Sequence, residues 1–321
     1  MGKRMLEVFF CTVGDGDAAL LTEHRDAAPD YTVLVDTGRP CVDPREGSLR
    51  KDAVDYLLDR NVDHLDRMIL THPHIDHVGG ALSILREIPV KRIEMLTVPP
   101  PDALRVPCSR TSSVKPYNSL RQILNVLREI SQTARERGTE VAESVSGEQQ
   151  LTETLRMTTY LPRPEVARRQ KEVCGALYRG ETVDEALCVR VAKERNLSSL
   201  MLSFAYAGLN VLITGDRYAW DWEAESIPPC HILKVPHHGD SKAMTEPLIR
   251  KLGPWFAVIS CENDPIARKE RPCEETVAML HRHVPLVICT ENRDMPSLKA
   301  RTCNGIRFDI APDGTVEWSE E

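Results

Sequence analysis

The stretch Thr71-His72-Pro73-His74-Ile75-Asp76-His77 places three imidazoles and one carboxylate within six residues. Imidazole nitrogen and carboxylate oxygen are donors suited to zinc and related divalent metals. In an extended segment alternate side chains point the same way, so His72 and His74 converge on one side. The apolar run 67–71 before the cluster reads as a buried strand and 78–88 after it as a helix. The cluster therefore lies on a strand-to-helix loop. Composition alone yields such a pattern somewhere in a chain of this length at a frequency on the order of 10⁻³, so a metal site outweighs an exposed polar loop.

Two weaker clusters share that placement. Gly215-Asp216 follows the apolar strand Val211-Leu212-Ile213-Thr214, where a carboxylate can bridge two metals, although Gly-Asp after a strand is also an ordinary turn. Lys234-Val235-Pro236-His237-His238-Gly239-Asp240-Ser241 is again an apolar strand running into a polar loop. His237 leaves the strand first and is taken as the ligand, which leaves His238 to contact or protonate a substrate. Three strand-end clusters support one another, because strands deliver side chains to a common edge. Asp17 and Asp36 read as acids that fix loops through backbone hydrogen bonds, and His24, His64, His281 and His283 as surface residues.

Outward from these motifs, short apolar runs at 5–11, 18–22 and 31–35 form an opening β-meander, followed by helical spacing at 48–60 and a strand at 92–98. The middle is less regular. A long amphipathic helix is expected over 117–137, with Gly138 as its C-cap, and a second, charged helical stretch over about 165–194, interrupted at Gly180. Strands return at 199–206, 210–214, 232–235, 255–260, 287–289, 306–310 and 315–318, with helices near 245–251 and 274–283. Two β-rich halves with helices outside predict an α/β four-layer αββα sandwich. One domain over 1–321 is expected, with the helices at about 165–194 as an insertion.

Composition sets further bounds. The chain has 321 residues and a formal net charge of −7, which argues against a surface that is cationic throughout. The short basic runs 168–171 and 268–271 read as solvated faces. Ten cysteines occur without a C-x-x-C pair, several inside apolar runs, as expected of buried free thiols in a reducing compartment. No stretch approaches the roughly 20 apolar residues of a membrane span, and the first ten residues lack a signal-peptide pattern, so cytoplasm is the expected location and no membrane partner is expected.

The H-x-H-x-D-H, Gly-Asp and His-His-Gly elements resemble those of the metallo-β-lactamase superfamily. More narrowly, Val13-Gly14-Asp15-Gly16-Asp17-Ala18, Val35-Asp36-Thr37-Gly38, 71–80, 212–216 and 233–239 are similar to the soluble metallo-β-lactamase-like domain of ComEC DNA-uptake proteins. The resemblance implies His72 and His74 at one metal, Asp76, His77 and the second-cluster histidine at the other, and Asp216 bridging. Many superfamily members place a third histidine where this chain has Asn196-Leu197-Ser198-Ser199, a loss that ComEC-like domains share. The first metal would then be ligand-poor, with zinc or manganese as occupants.

Two divalent ions roughly 3.5–4 Å apart would acidify a shared water, with Asp76 orienting the resulting hydroxide and His238 serving the leaving group. Asn196, Ser198 and Ser241 are candidate substrate contacts. The expected function is a metal-dependent hydrolase, a phosphodiesterase or nuclease acting on single strands, short oligonucleotides or a nucleotide. A phosphorylcholine esterase or lactonase of the same fold is the alternative, and a non-catalytic metal-binding module a further one. Protein partners are not legible.

Overall fold

In the computed structural model, residues 4–26, 28–42, 47–106, 112–262 and 271–321 are described. Burial along β1 (Met5–Cys11) sets the layering: Leu6, Val8 and Phe10 are buried on one face and Phe9 and Cys11 on the other. A strand apolar on both faces must be covered on both. The first set packs between two sheets, and the second packs under helices.

Among the described residues the first sheet comprises β1, β2 (Ala19–His24), β3 (Tyr31–Val35), β4 (Leu65–Leu70), β5 (Val90–Met95), β6 (Glu140–Glu143), β16 (Gly305–Ile310) and β17 (Val316–Glu320). The second comprises β7 (Gly147–Gln150), β8 (Arg156–Tyr160), β9 (Met201–Tyr206), β10 (Leu209–Ile213), β11 (Ile232–Lys234), β12 (Phe256–Ile259) and β13 (Leu286–Cys289), and β14 (Glu291–Asn292) pairs with β15 (Arg301–Thr302) in a separate ribbon. Their orders are β17-β16-β1-β2-β3-β4-β5-β6 and β13-β12-β11-β10-β9-β8-β7. Each sheet joins an antiparallel part to a parallel one: β16, β1, β2 and β3 are antiparallel neighbours and β3 to β6 parallel, while β7 to β10 are antiparallel and β10 to β13 parallel.

Parallel neighbours need crossover connections, and helices supply them. On the first sheet these are α1 (Ala53–Asp59), α2 (Ile75–Val78), α3 (Ala81–Glu87) and α4 (Lys115–Glu136). The stretch read as an insertion forms α5 (Pro164–Tyr178) and α6 (Glu185–Lys193), split at Gly180; Cys174, Leu177, Cys188 and Val191 pack with α4 over the first sheet. On the second sheet the crossovers are α7 (Ala219–Trp222), α8 (Glu246–Leu252) and α9 (Glu274–His281). Helix, sheet, sheet and helix give the four-layer αββα sandwich read from the sequence.

Local differences have local causes. The helix expected over 78–88 is two helices, because the loop at Thr37-Gly38 passes against it: Gly80 N–H donates to the Gly38 carbonyl at 3.2 Å, and a Cβ on Gly80 would overlap the Thr37 carbonyl oxygen. The strands β6, β7 and β8 were not legible, since Glu140, Glu148, Gln150 and Arg156 are exposed along them and no apolar alternation marks them. Of the basic run 268–271, residues 268–270 lie outside the described residues. No helix among the described residues is long and apolar enough to cross a membrane.

Candidate metal centre

Three strand ends meet at one edge of the sandwich. β4 runs into His72 and His74, after which the first turn of α2 carries Asp76 and His77. β10 and β11 are parallel neighbours, so Gly215-Asp216 and His237-His238 leave the second sheet side by side, and His237 N–H donates to the Gly215 carbonyl at 3.2 Å. Leu200 N–H donates to the Thr71 carbonyl at 2.9 Å and ties the two sheets together there.

Asp216 sits at the middle. Its Oδ2 is 3.5 Å from His72 Nε2, and its Oδ1 is 3.3 Å from His77 Nε2 and 3.9 Å from His238 Nε2. His238 Nε2 is also 3.6 Å from Asp76 Oδ2. Two groups that could each hold a metal ion result, His72 with His74 and Asp216, and Asp76 with His77 and His238, each with donor atoms within 4.8 Å of one another. Asp17, His77 and Asp216 form a third such group between them. His77 Nε2, His238 Nε2, Asp216 Oδ1 and Asp17 Oδ1 are buried and have no hydrogen-bond partner. Buried polar atoms are ordinarily satisfied, so this convergence of orphaned lone pairs fits divalent cations.

Surrounding groups aim the ligands. Asp36 accepts from His77 Nδ1 at 2.8 Å, Thr71 N–H at 2.8 Å and Thr71 Oγ1 at 2.7 Å, which leaves His77 Nε2 to face Asp216. Asp36 holds a left-handed φ of 59° to do so. His238 Nδ1 lies 2.9 Å from the Ser260 carbonyl, a contact that requires its proton there and points Nε2 inward. Asp216 N–H donates to Ser199 Oγ at 3.1 Å, and Gly215, at φ 54°, lets Ser199 come so close that a Cβ would lie 2.9 Å from its own. Buried Lys234 pairs with Asp17, which fixes that acid between His77 and His238.

Burial and neighbouring charge compete at this centre. It holds His72 well below the ordinary imidazole range, helped by the charge of His77, and lowers His74 to about 3, with the Arg195 guanidinium adding. For His77 burial acts in the same direction but is outweighed by Asp216, Asp36 and Asp17, which hold it well above that range. His238 is raised likewise, chiefly by Asp216 and Asp17 against its burial. The positive charge so gathered keeps Asp76 and Asp216 ionised despite their burial.

Two placements differ from the expectation. His238, taken from the sequence as the substrate-facing histidine, is the one that stands with Asp76 and His77, fully buried, with Nδ1 held by the Ser260 carbonyl and Nε2 facing the centre. His237, taken as the ligand, lies on the other side of Asp216, its Nε2 3.8 Å from Oδ2. That nitrogen accepts from Asn196 Nδ2 at 3.1 Å and from Arg271 Nη2, and burial lowers the ring to about 4. The cause is backbone: His237, His238 and Gly239 take left-handed φ values of 50°, 55° and 75° in succession, so neighbouring rings diverge, with centroids 6.1 Å apart.

Asn196 reaches the cleft and also donates to Tyr218 Oη at 3.0 Å. Ser198 is turned away, its Oγ donating to the Arg195 carbonyl at 2.6 Å, and Ser241 lies exposed on the turn after Asp240. The sequence reading missed Tyr218, Arg271 and Lys234. Of these only Tyr218 carried a signal, two residues beyond Asp216 on the same strand-end loop.

Two mixed sheets flanked by helices bring histidines and acids together about one carboxylate at the sheet edge, an arrangement suited to divalent metals. Residues 12–122 match the family model of the metallo-beta-lactamase superfamily. Over that stretch the chain is similar to the metallo-beta-lactamase superfamily. It is 26% identical over 300 residues to ComE operon protein 3 of Bacillus subtilis (strain 168), covering 89% of this chain and 32% of that protein. The chain thus spans about a third of the length of that relative. Among solved structures it is similar to the metallo-beta-lactamase fold protein YhfI from Bacillus subtilis, with 11% identity, a TM-score of 0.49 and coverage of 99% of this chain and 100% of that one. It is also similar to the isothiocyanate hydrolase from Delia radicum gut bacteria, with 12% identity, a TM-score of 0.44 and coverage of 92% and 100%.

Proposed function

We propose that this chain is a metal-dependent phosphodiesterase acting on single-stranded nucleic acid or nucleotides. In this reading His72, His74 and Asp216 hold one divalent ion, zinc or manganese, and Asp76, His77, His238 and Asp216 hold the second. The observation that carries it is Asp216, whose two oxygens face the two ligand groups separately. Such a pair of ions supplies a water of lowered pKa and charge to offset the developing oxyanion. The first group has fewer protein donors than the second, which leaves positions for substrate oxygens.

The remaining work falls to side chains. Asp76 is the ligand-group acid with a partly exposed carboxylate, placed to orient the attacking water. His237 stays neutral and holds Arg271 at the rim, where a guanidinium matches the paired oxygens of a phosphodiester. Asn196, on the same imidazole nitrogen, is a second donor to substrate. The similarity to ComEC-like domains supports a phosphodiester over other esters. The reading treats 1–321 as one domain with the helices at about 165–194 inserted, supported by an inter-sheet core that draws on Leu6 and Ile310 together, and places it in the cytoplasm.

The test is a panel of bis-p-nitrophenyl phosphate, single-stranded DNA, a phosphorylcholine ester and a lactone, assayed with zinc and with manganese. The diesters should be hydrolysed by the parent chain and not by His74→Ala or Asp216→Ala. Equal activity in parent and variants overturns the reading.

A further inference from the structure

On the loop after Asp216 stands a pair of aromatic rings that this chemistry does not use. Tyr218 and Trp220 stack with centroids 6.2 Å apart and planes 21° apart. Trp220 is 53% exposed, a large apolar surface left in water. The pair runs straight from the centre, because the Tyr218 ring packs edge-on against His237 at 5.3 Å and His237 borders Asp216. The backbone beneath is fixed: Arg163 donates to the carbonyls of Trp220 at 3.0 Å and Asp221 at 2.9 Å, and Ala219 N–H donates to the Lys242 carbonyl at 3.0 Å.

Cations ring the pair. Exposed Lys242 lies 5.9 Å over Tyr218, Arg163 lies 5.6 Å over Trp220, and Arg271 touches His237. Two of these cations are paired with the rim acids, Arg163 with Asp221, which Arg217 also holds, and Arg271 with Asp240 at 3.7 Å, so the charge left over on this rim is that of Lys242. A half-exposed indole at the outer end of this pair, with a cation beside each ring, is complementary to an unpaired base and its backbone. Bases in a duplex are stacked on one another and present no such face.

We propose that Tyr218 and Trp220 form a stacking platform for one base of a single-stranded nucleic acid whose adjacent phosphodiester lies at the metal centre. The proposal rests on the phosphodiesterase reading and adds what that reading leaves open, selection for strands that carry unpaired bases.

Fluorescence anisotropy of the full chain with two probes tests it: a phosphorothioate-linked oligothymidylate, which resists hydrolysis, and an abasic strand of the same length and charge. The parent should bind the base-bearing strand about tenfold more tightly, Trp220→Ala should abolish that preference, and Trp220→Phe should restore it. Circular dichroism and thermal melts of the variants check that the fold is intact. Equal binding of both strands by the parent, or a preference that survives Trp220→Ala, overturns the platform. Hydrolysis of bis-p-nitrophenyl phosphate, which has no base, is measured alongside. It reports on the phosphodiesterase reading alone, so failure of the platform and failure of that reading are told apart.

Discussion

Asp216 faces His72 with one carboxylate oxygen and His77 with the other, at 3.5 and 3.3 Å. Asp216→Asn replaces one of those oxygens with an amide that cannot carry the charge. Its metal content, read by mass spectrometry after dialysis, should fall, and diester hydrolysis should drop by roughly a hundredfold or more. Asp36 acts one step further out, through His77 Nδ1 and Thr71. Asp36→Asn should weaken metal affinity about 10- to 100-fold in a competitive chelator titration while leaving the ligands present, and an unchanged affinity would remove Asp36 from the design. The thiols give a separate test. Burial pushes Cys11, Cys174 and Cys230 up to about 12, whereas Cys41 is exposed. In a thiol-reagent titration Cys41 should react at once, and those three only after denaturant is added.

At the scale of single elements, α6 starts with Asp184, whose side chain accepts from Leu187 N–H at 3.0 Å. Asp184→Ala should cost about 1 kcal/mol in urea denaturation, the usual value of an N-cap. The junction of α2 and α3 is more sensitive. Gly80→Ala drives a methyl into the Thr37 carbonyl and displaces either that loop or α3, at about 1–3 kcal/mol, and because the same loop supports Asp36, metal affinity should fall with it. Elements legible in the sequence were those with an apolar stripe, such as α4, where Leu120, Ile123, Leu124, Leu127 and Ile130 are all buried as spaced. The hairpin of β7 and β8 had none, because β7 is a polar edge strand and β8 sends Met157 alone as an apolar side chain into the inter-sheet core, so the pair is held by its neighbours rather than by its own pattern.

Across the whole molecule the inter-sheet core binds both halves, with Phe204 packed among Val8, Phe10, Phe308 and Val211. Phe204→Ala should lose about 3–5 kcal/mol and loosen the alignment of the two sheets on which the centre depends. Trp318→Ala, on the partly exposed edge strand β17, should change stability by less than about 0.5 kcal/mol, and comparable losses from both would mean that the sheets are not joined by this core.

The amino-acid order by itself determined the fold class, the clustering of His72, His74, Asp76 and His77 and the nearness of Asp216 and the paired histidines to strand ends, because each is a pattern of neighbours along the chain. Tertiary structure alone decided which histidine of the pair joins Asp76, since that follows from three successive left-handed residues. It also decided that Asp36 aims His77 across 41 residues and that Lys234 holds Asp17 across 217. Contacts between residues so far apart leave no trace in local spacing, and they exist only once the strands have been laid side by side.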